Sequence, residues 1–248
     1  MTLEKTRILN GNILKIIAAV FMLIDHVGMM LFPQHIIFRI LGRIAFPIFA
    51  FMIAEGARYT KNKAKYLLTM AGFALVCQLF YYFALNDLYM CILVTFSLSL
   101  CVIYALQYFK KCLFDKECKL TVKILSGVVF VLSVLFVALA NRFLTIDYGF
   151  YGCMVPVFAS LFDFRGTDAP EFVKKTDCLY VRIAAFAVGL IILADRFYLQ
   201  YYSLFALPFL LLYSEKRGKA KMKYFFYLFY PLHLVALTAI QMLLEILK

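Results

Sequence analysis

Nine predominantly apolar stretches recur along the chain, at about 12–32, 36–56, 65–85, 89–109, 121–140, 148–164, 179–195, 198–214 and 223–246. Most approach the roughly 20 residues that a helix needs to cross a bilayer core of about 30 Å. The segments between them are short and polar. This alternation predicts an all-α, polytopic integral membrane helix bundle with about nine transmembrane helices. The sixth to eighth stretches are short for a crossing, which predicts tilted or re-entrant segments whose irregular backbone is lined by protein or water.

The loop cations set an orientation. Every second connection is basic: Lys5, Arg7 and Lys15; then Arg58, Lys61, Lys63 and Lys65; then Lys110, Lys111, Lys116, Lys119 and Lys123. The series continues with Arg165, Lys174, Lys175 and Arg182, and ends with Lys216, Arg217, Lys219, Lys221 and Lys223. The alternate connections hold Arg39, Arg43, Arg142, Arg196 and Lys248. Of 26 lysines and arginines, 21 therefore fall on one side and five on the other. The positive-inside rule predicts a cytoplasmic N-terminus and, with an odd number of spans, an outer C-terminus; the expected location is the plasma (bacterial cytoplasmic) membrane.

Composition strengthens this reading. The chain is 65% hydrophobic and 16% charged over 248 residues, with a mean hydropathy of +0.88. Water could not solvate so apolar a surface, so the lipid bilayer is its solvent. No stretch is left for a soluble domain, and residues 1–248 are read as one integral membrane domain. The net charge of +12 is accounted for by topology, so no nucleic-acid partner is implied. Seven cysteines show no CxxC and no His/Cys ligand spacing, and no metal is expected. Met1 to Gly11 is polar and lacks the apolar core and cleavage site of a removable signal peptide, so the first helix is expected to remain.

Ionisable residues at membrane depth are costly, about 2.5–3.5 kcal/mol on insertion scales, and they usually face a cavity or a partner. Asp25, His26, Arg43, Glu55, Asp147, Asp195, Arg196 and His233 stand out. His26 follows Lys15 by eleven positions, about three helical turns, so both lie on one face roughly 16 Å apart along the axis. In the predicted topology this face runs from the cytoplasmic surface into the outer half. Asp25 and Arg43 suit either a structural ion pair across the first hairpin or a place beside a reaction centre. Arg39 and Arg142 read as interfacial cations that snorkel. His233, after Pro231, suits either a core histidine bonded to a carbonyl or an acceptor-side role with Tyr230 and Asp147.

Histidine is the side chain most readily poised as a general base near neutral pH. A histidine base with a nearby arginine, and no Ser-His-Asp or metal-ligand set, suits direct acyl transfer to an amine or hydroxyl. Cations on the cytoplasmic side, Lys15 and the Arg58–Lys65 loop with Lys61 and Lys63, would meet the phosphates of a donor. The same charges are also ordinary topology determinants. These observations leave two other classes open. One is a proton-coupled transporter using Asp25, His26 and Glu55 as a relay, and the other is a scaffold for a surface appendage.

The segments Leu14–His26 and Gly42–Gly56, the Thr60–Tyr66 loop, Asp147–Gly152 and Phe226–His233 together resemble the TraX family. That family is named for a membrane protein that N-acetylates conjugative pilin. A wider similarity is to the membrane acyltransferase-3 family, in which a basic residue, ten intervening residues and a histidine mark the first helix, as Lys15 and His26 do here. Arg43–Phe49 resembles that family's arginine-proline-phenylalanine block. The chain departs from it at Ala54-Glu55-Gly56, where a Ser-Gly-Phe ending is usual, and Glu55 receives no role.

The resemblance implies acetyl-CoA as donor and His26, Arg43 and Asp25 as the catalytic group. It implies donor contacts from Lys15, Arg58, Lys61, Lys63 and Lys65. The acceptor would be a peptide or pilin N-terminus or a glycan near the outer face.

Overall fold

The computed structural model describes residues 7–85, 88–220 and 222–247. Its helices, in chain order, are α1 (Gly11–Met30), α2 (Ile36–Gly42), α3 (Ala45–Tyr59), α4 (Lys63–Leu85), α5 (Ile92–Phe114) and α6 (Leu120–Phe143). They continue with α7 (Gly149–Ser160), α8 (Glu171–Lys174), α9 (Leu179–Arg196), a 3₁₀ helix (Tyr198–Ala206), α10 (Leu207–Leu211) and α11 (Lys223–Ile246). Among the described residues the extended pairings are two isolated bridges, Leu9 with Tyr213 and Met90 with Ile146. The expected all-α class is observed.

Among the described residues, six helices are long and apolar enough to cross a membrane: Gly11–Met30, Ile36–Tyr59 taken through its break, Lys63–Phe83, Ile92–Phe114, Leu120–Phe143 and Phe225–Ile246. The predicted stretches 148–164 and 198–214 form shorter helices. The first becomes the 12-residue α7, about 18 Å long. The second becomes nine residues of 3₁₀ helix followed by five of α-helix, with Pro208 at the start of the latter. At about 2.0 and 1.5 Å per residue those two pieces span roughly 25 Å, so a 3₁₀ rise recovers most of the length that the short sequence lacks. α9 is 18 residues long and carries Arg182, Asp195 and Arg196.

The chain forms two compact units, residues 1–52 with 190–248 and residues 53–189. In the first, Asn10 caps α1 by accepting from the backbone N–H groups of Asn12 and Ile13. The buried face of α1 follows the helical period through Leu14, Ala18, Met22 and Asp25. α1 packs against α2 and α11, and a Cβ on Gly42 would overlap the Asp25 side chain, so glycine alone permits this approach. The span 36–59 breaks between α2 and α3 at Arg43-Ile44. Pro47 sits in the first turn of α3, where a missing N–H costs nothing. Segment 212–220 is laced to the start of α1, with Leu9 N–H donating to Leu212 O, Gly11 N–H to Lys216 O and Asn12 Nδ2 to Ala220 O.

In the second unit α5 packs against α4, α6 and α7, around the fully buried Leu100, Ile103, Cys153 and Val155. α6 buries only Ser126 and Val137 and exposes Leu132 and Phe136. In water that face would be an aggregation liability, whereas in a bilayer it is a lipid-facing wall. Lys110, counted in the sequence among loop cations, lies instead inside α5 and is buried. Its ammonium donates to the carbonyls of Ser160 (2.7 Å), Leu161 (2.6 Å) and Asp163 (3.1 Å). A cation thus closes the negative end of α7, where the last carbonyls lack helical donors.

Candidate functional site

The candidate site in the first unit is built from α1, α2 and α11. On α11, His233 is buried, stacked on Phe229 with ring centroids 5.0 Å apart and edge-on to Tyr230 at 5.7 Å. Its ring meets His26 of α1 at a centroid distance of 4.8 Å. His233 Nδ1 lies 2.7 Å from Phe229 O, and His26 Nδ1 lies 2.9 Å from Met22 O and 3.1 Å from His233 Nε2. The carbonyl bound by His233 is thus that of Phe229, one turn back, and not the Tyr227 carbonyl whose donor Pro231 removes.

These contacts assign the tautomers. A carbonyl only accepts, so Nδ1 of each ring carries hydrogen. His233 donates through Nδ1 to Phe229 O and accepts at Nε2. His26 donates through Nδ1, shared between Met22 O and His233 Nε2. The lone pair of neutral His26 is therefore on Nε2, which is the atom able to take a proton. His233 stands where a carboxylate stands in a serine-hydrolase triad: it fixes the tautomer and orientation of the neighbouring imidazole, here His26.

Asp25 points to the other side of α1, as adjacent helical residues diverge by about 100°. Arg43 Nη2 donates to both of its oxygens, at 2.7 and 2.6 Å, and Arg39 Nη1 donates to Oδ2 at 2.9 Å. Arg39, read from sequence as a snorkelling cation, is an ion-pair partner. The i, i+4 spacing of Arg39 and Arg43 was the available signal, since it puts both on the face of α2 that meets α1. Two guanidinium groups share one carboxylate, leaving a net positive charge within electrostatic reach of His26. Lys15 lies over the Phe226 ring of α11, 5.8 Å from its centroid. The predicted common face of Lys15 and His26 is therefore the face that α11 covers.

The other candidate residues lie in the second unit. Arg58 is bound by Asp163 and by Asp177 at 2.7 Å, so its guanidinium is a structural partner and not an open phosphate ligand. Glu55 is paired with Arg182, and both are buried. Arg182, counted among cytoplasmic loop cations, belongs to α9. Asp177 links the pairs, with Arg182 Nε at 3.8 Å. Sequence reasoning missed this network because the pairs Arg58–Asp163, Arg58–Asp177 and Glu55–Arg182 each join residues more than 100 positions apart.

Lys61 and Lys65 are exposed, and Lys63 lies 5.3 Å from the Tyr104 ring centroid. Asp147 accepts from the Tyr89 hydroxyl at 2.6 Å, while its backbone carbonyl accepts from Thr95 Oγ1 at 2.8 Å. Burial first, and then the Asp147 charge, push the Tyr89 phenol up, which keeps it a neutral donor. Asp147 thus anchors the bridge between Met90 and Ile146. Among the described residues no His/Cys/Asp/Glu group has metal-binding geometry.

The fold and site define a class, a helical membrane protein with a pair of imidazoles, one buried and one half-buried, beside a charge cluster. The TraX protein family model matches residues 10–241, and the chain belongs to the TraX family. It is 27% identical over 256 residues to a probable fimbrial assembly protein FimC, serogroup H1, of Dichelobacter nodosus, over 94% of this chain and 96% of that protein. It is also 40% identical over 57 residues to the uncharacterized protein RP591 of Rickettsia prowazekii (strain Madrid E), over 23% of each chain. No solved structure matches it at a significant level.

Proposed function

We propose that the protein is a membrane-embedded acetyltransferase that moves an acetyl group from cytoplasmic acetyl-CoA to an amine or hydroxyl at or near the outer face of the plasma membrane. The observation that carries this reading is the His26–His233 pair, which leaves His26 Nε2 as a proton acceptor of fixed orientation. His26 Nε2 takes the proton as the acceptor's nitrogen or oxygen attacks the thioester carbonyl. The carbon–sulfur bond then breaks, and the leaving thiolate recovers the proton from the imidazolium. The surplus positive charge of Arg39 and Arg43 over Asp25 favours negative charge developing on the carbonyl oxygen. The family and the fimbrial-assembly relative favour a pilin or other surface peptide as acceptor; a glycan is the other candidate.

Nine spans with a cytoplasmic N-terminus belong to the same proposal. The contacts Lys15–Phe226 and His26–His233 ascend both helices together, so α1 and α11 run parallel. Parallel spans need an odd number of crossings between them. The long helices between them supply four, so one or three of the short segments α7, α9 and 3₁₀–α10 must also cross, and three gives nine.

Proton-coupled transport through Asp25, His26 and Glu55 gains no support, since Asp25 is bound by two arginines and Glu55 by Arg182. The test is incorporation of label from acetyl-CoA into envelope material by membranes holding the wild-type protein or His26→Ala. Transfer only by the wild type, with equal accumulation of both, is the expected result. Equal transfer by both would remove His26 from the chemistry.

A further inference from the structure

A hollow of about 220 Å³ opens in the second unit, lined among others by Arg58, Lys63, Lys111, Asp163, Arg165 and Gly166. Its floor is electrically balanced. Arg58 and Asp163 line it as an ion pair, and behind them Asp177, Arg182 and Glu55 complete a five-membered ion-pair network, with Lys110 within reach of both aspartates. Asp163 has no oxygen to spare, because Oδ1 accepts from Arg58 and the Arg165 N–H while Oδ2 accepts from Gln107 Nε2 at 3.3 Å.

The rim is unbalanced. Among the described residues Lys63, Lys111 and Arg165 make no ion pair. Lys63 rests on the Tyr104 ring, and Arg165 rests on Tyr59, 4.5 Å from its centroid. Tyr59 also carries Arg58 on its ring. The aromatic supports hold the cations in place without neutralising them.

Three chain segments far apart in sequence therefore converge on one concavity: the start of α4, the end of α5 and the loop after α7. Gly166, at φ +70°, turns that loop, and a Cβ there would meet nothing within 4 Å. The hollow lies below the about 300–1,000 Å³ of a drug-sized ligand site, so it suits the charged end of a molecule better than the whole of one.

We propose that Lys63, Lys111 and Arg165 form a binding site for a phosphate ester, and that its ligand is the phosphorylated nucleoside end of the acyl donor. This rests on the acetyltransferase reading and reassigns the donor contacts. Lys63 stays, Lys111 and Arg165 join it, and Arg58 becomes the floor that holds Asp163 and the loop. Orientation agrees, because all three segments belong to the basic, cytoplasmic set of connections. An anionic lipid headgroup presents the same phosphate chemistry at that surface, so the experiment must separate the two sources.

The test uses the full-length protein in nanodiscs of phosphatidylcholine alone or with phosphatidylglycerol, with adenosine 3′,5′-bisphosphate as the titrated probe. The wild type is expected to bind the probe in both lipids. Lys63→Gln, Lys111→Gln and Arg165→Gln should each weaken it about five- to tenfold, and Lys175→Gln, outside the hollow, should leave it unchanged. Probe binding that vanishes with phosphatidylglycerol, together with retention of that lipid lost in the same variants, assigns the site to lipid and overturns the donor assignment. Wild-type affinity in all three variants overturns the site itself.

His26→Ala separates this proposal from the reaction. Binding kept while transfer is lost is expected. Binding by a wild type that transfers no acetyl group leaves the site standing and removes the acetyltransferase reading. Transfer that survives in all three glutamine variants does the reverse.

Discussion

Replacing His233 by alanine removes the acceptor at 3.1 Å from His26 Nδ1 and leaves Met22 O as its remaining hydrogen-bond partner at 2.9 Å. In the resting protein the lost contact joins two neutral groups and is worth about 1 kcal/mol, whereas one to a charged donor is worth about 1.5–3 kcal/mol. The differential felt as His26 takes up its proton is thus about 0.5–2 kcal/mol, which predicts a kcat lower by about 2- to 30-fold. Removing the base itself costs more, about 10²- to 10⁴-fold. Inside-out membrane vesicles supplied with labelled acetyl-CoA give kcat and KM separately. His233→Ala should lower kcat with KM for acetyl-CoA unchanged, and His233→Gln, whose side-chain carbonyl can accept from Nδ1, should recover part of the loss. A His233→Ala variant with wild-type kcat would refute the positioning role. So would a loss confined to the amount of protein accumulated.

Other outcomes follow from the charged and close-packed contacts. Asp25→Asn removes the charge that binds Arg39 and Arg43, and should reduce both accumulation and transfer, checked by quantitative immunoblot beside the vesicle assay. Gly42→Ala drives a methyl into Asp25 and should lower the melting temperature in detergent by several degrees, with Gly42→Val worse. Lys110→Met strips the donor from three carbonyls; at about 0.6 kcal/mol per membrane hydrogen bond this costs near 2 kcal/mol, read as a lower melting temperature with transfer retained per folded molecule. Glu55→Gln alone should destabilise more than Glu55→Gln with Arg182→Met, because it leaves the buried Arg182 with only the 3.8 Å contact to Asp177, and breaking a buried pair from one side costs about 3–5 kcal/mol. A double-mutant cycle on melting temperature decides that point.

Much of the first unit was legible because its contacts are local or periodic. The Lys15–His26 register needs only helical geometry, and the structure lays α11 along that face. The Asp25–Arg43 pair joins helices adjacent in sequence, where one hairpin fixes the neighbours. The second unit was less legible. Arg182 and Lys110 flank apolar runs and so read as loop cations, while the fold draws both into helices against partners that no local spacing announces. Glu55 had no role until α9 supplied Arg182. The 3₁₀ winding of 198–206 was not legible, because apolar content does not distinguish α from 3₁₀ winding, which changes the rise per residue by a third.

The most direct measurement is mass spectrometry of envelope peptides and glycans from cells that make the wild-type protein, His26→Ala or none. The account predicts a species heavier by one acetyl group in the wild-type cells alone, with the His26→Ala protein present in the membrane at normal level. An acetylated species found equally in all three, or equally with the wild type and His26→Ala, would contradict it.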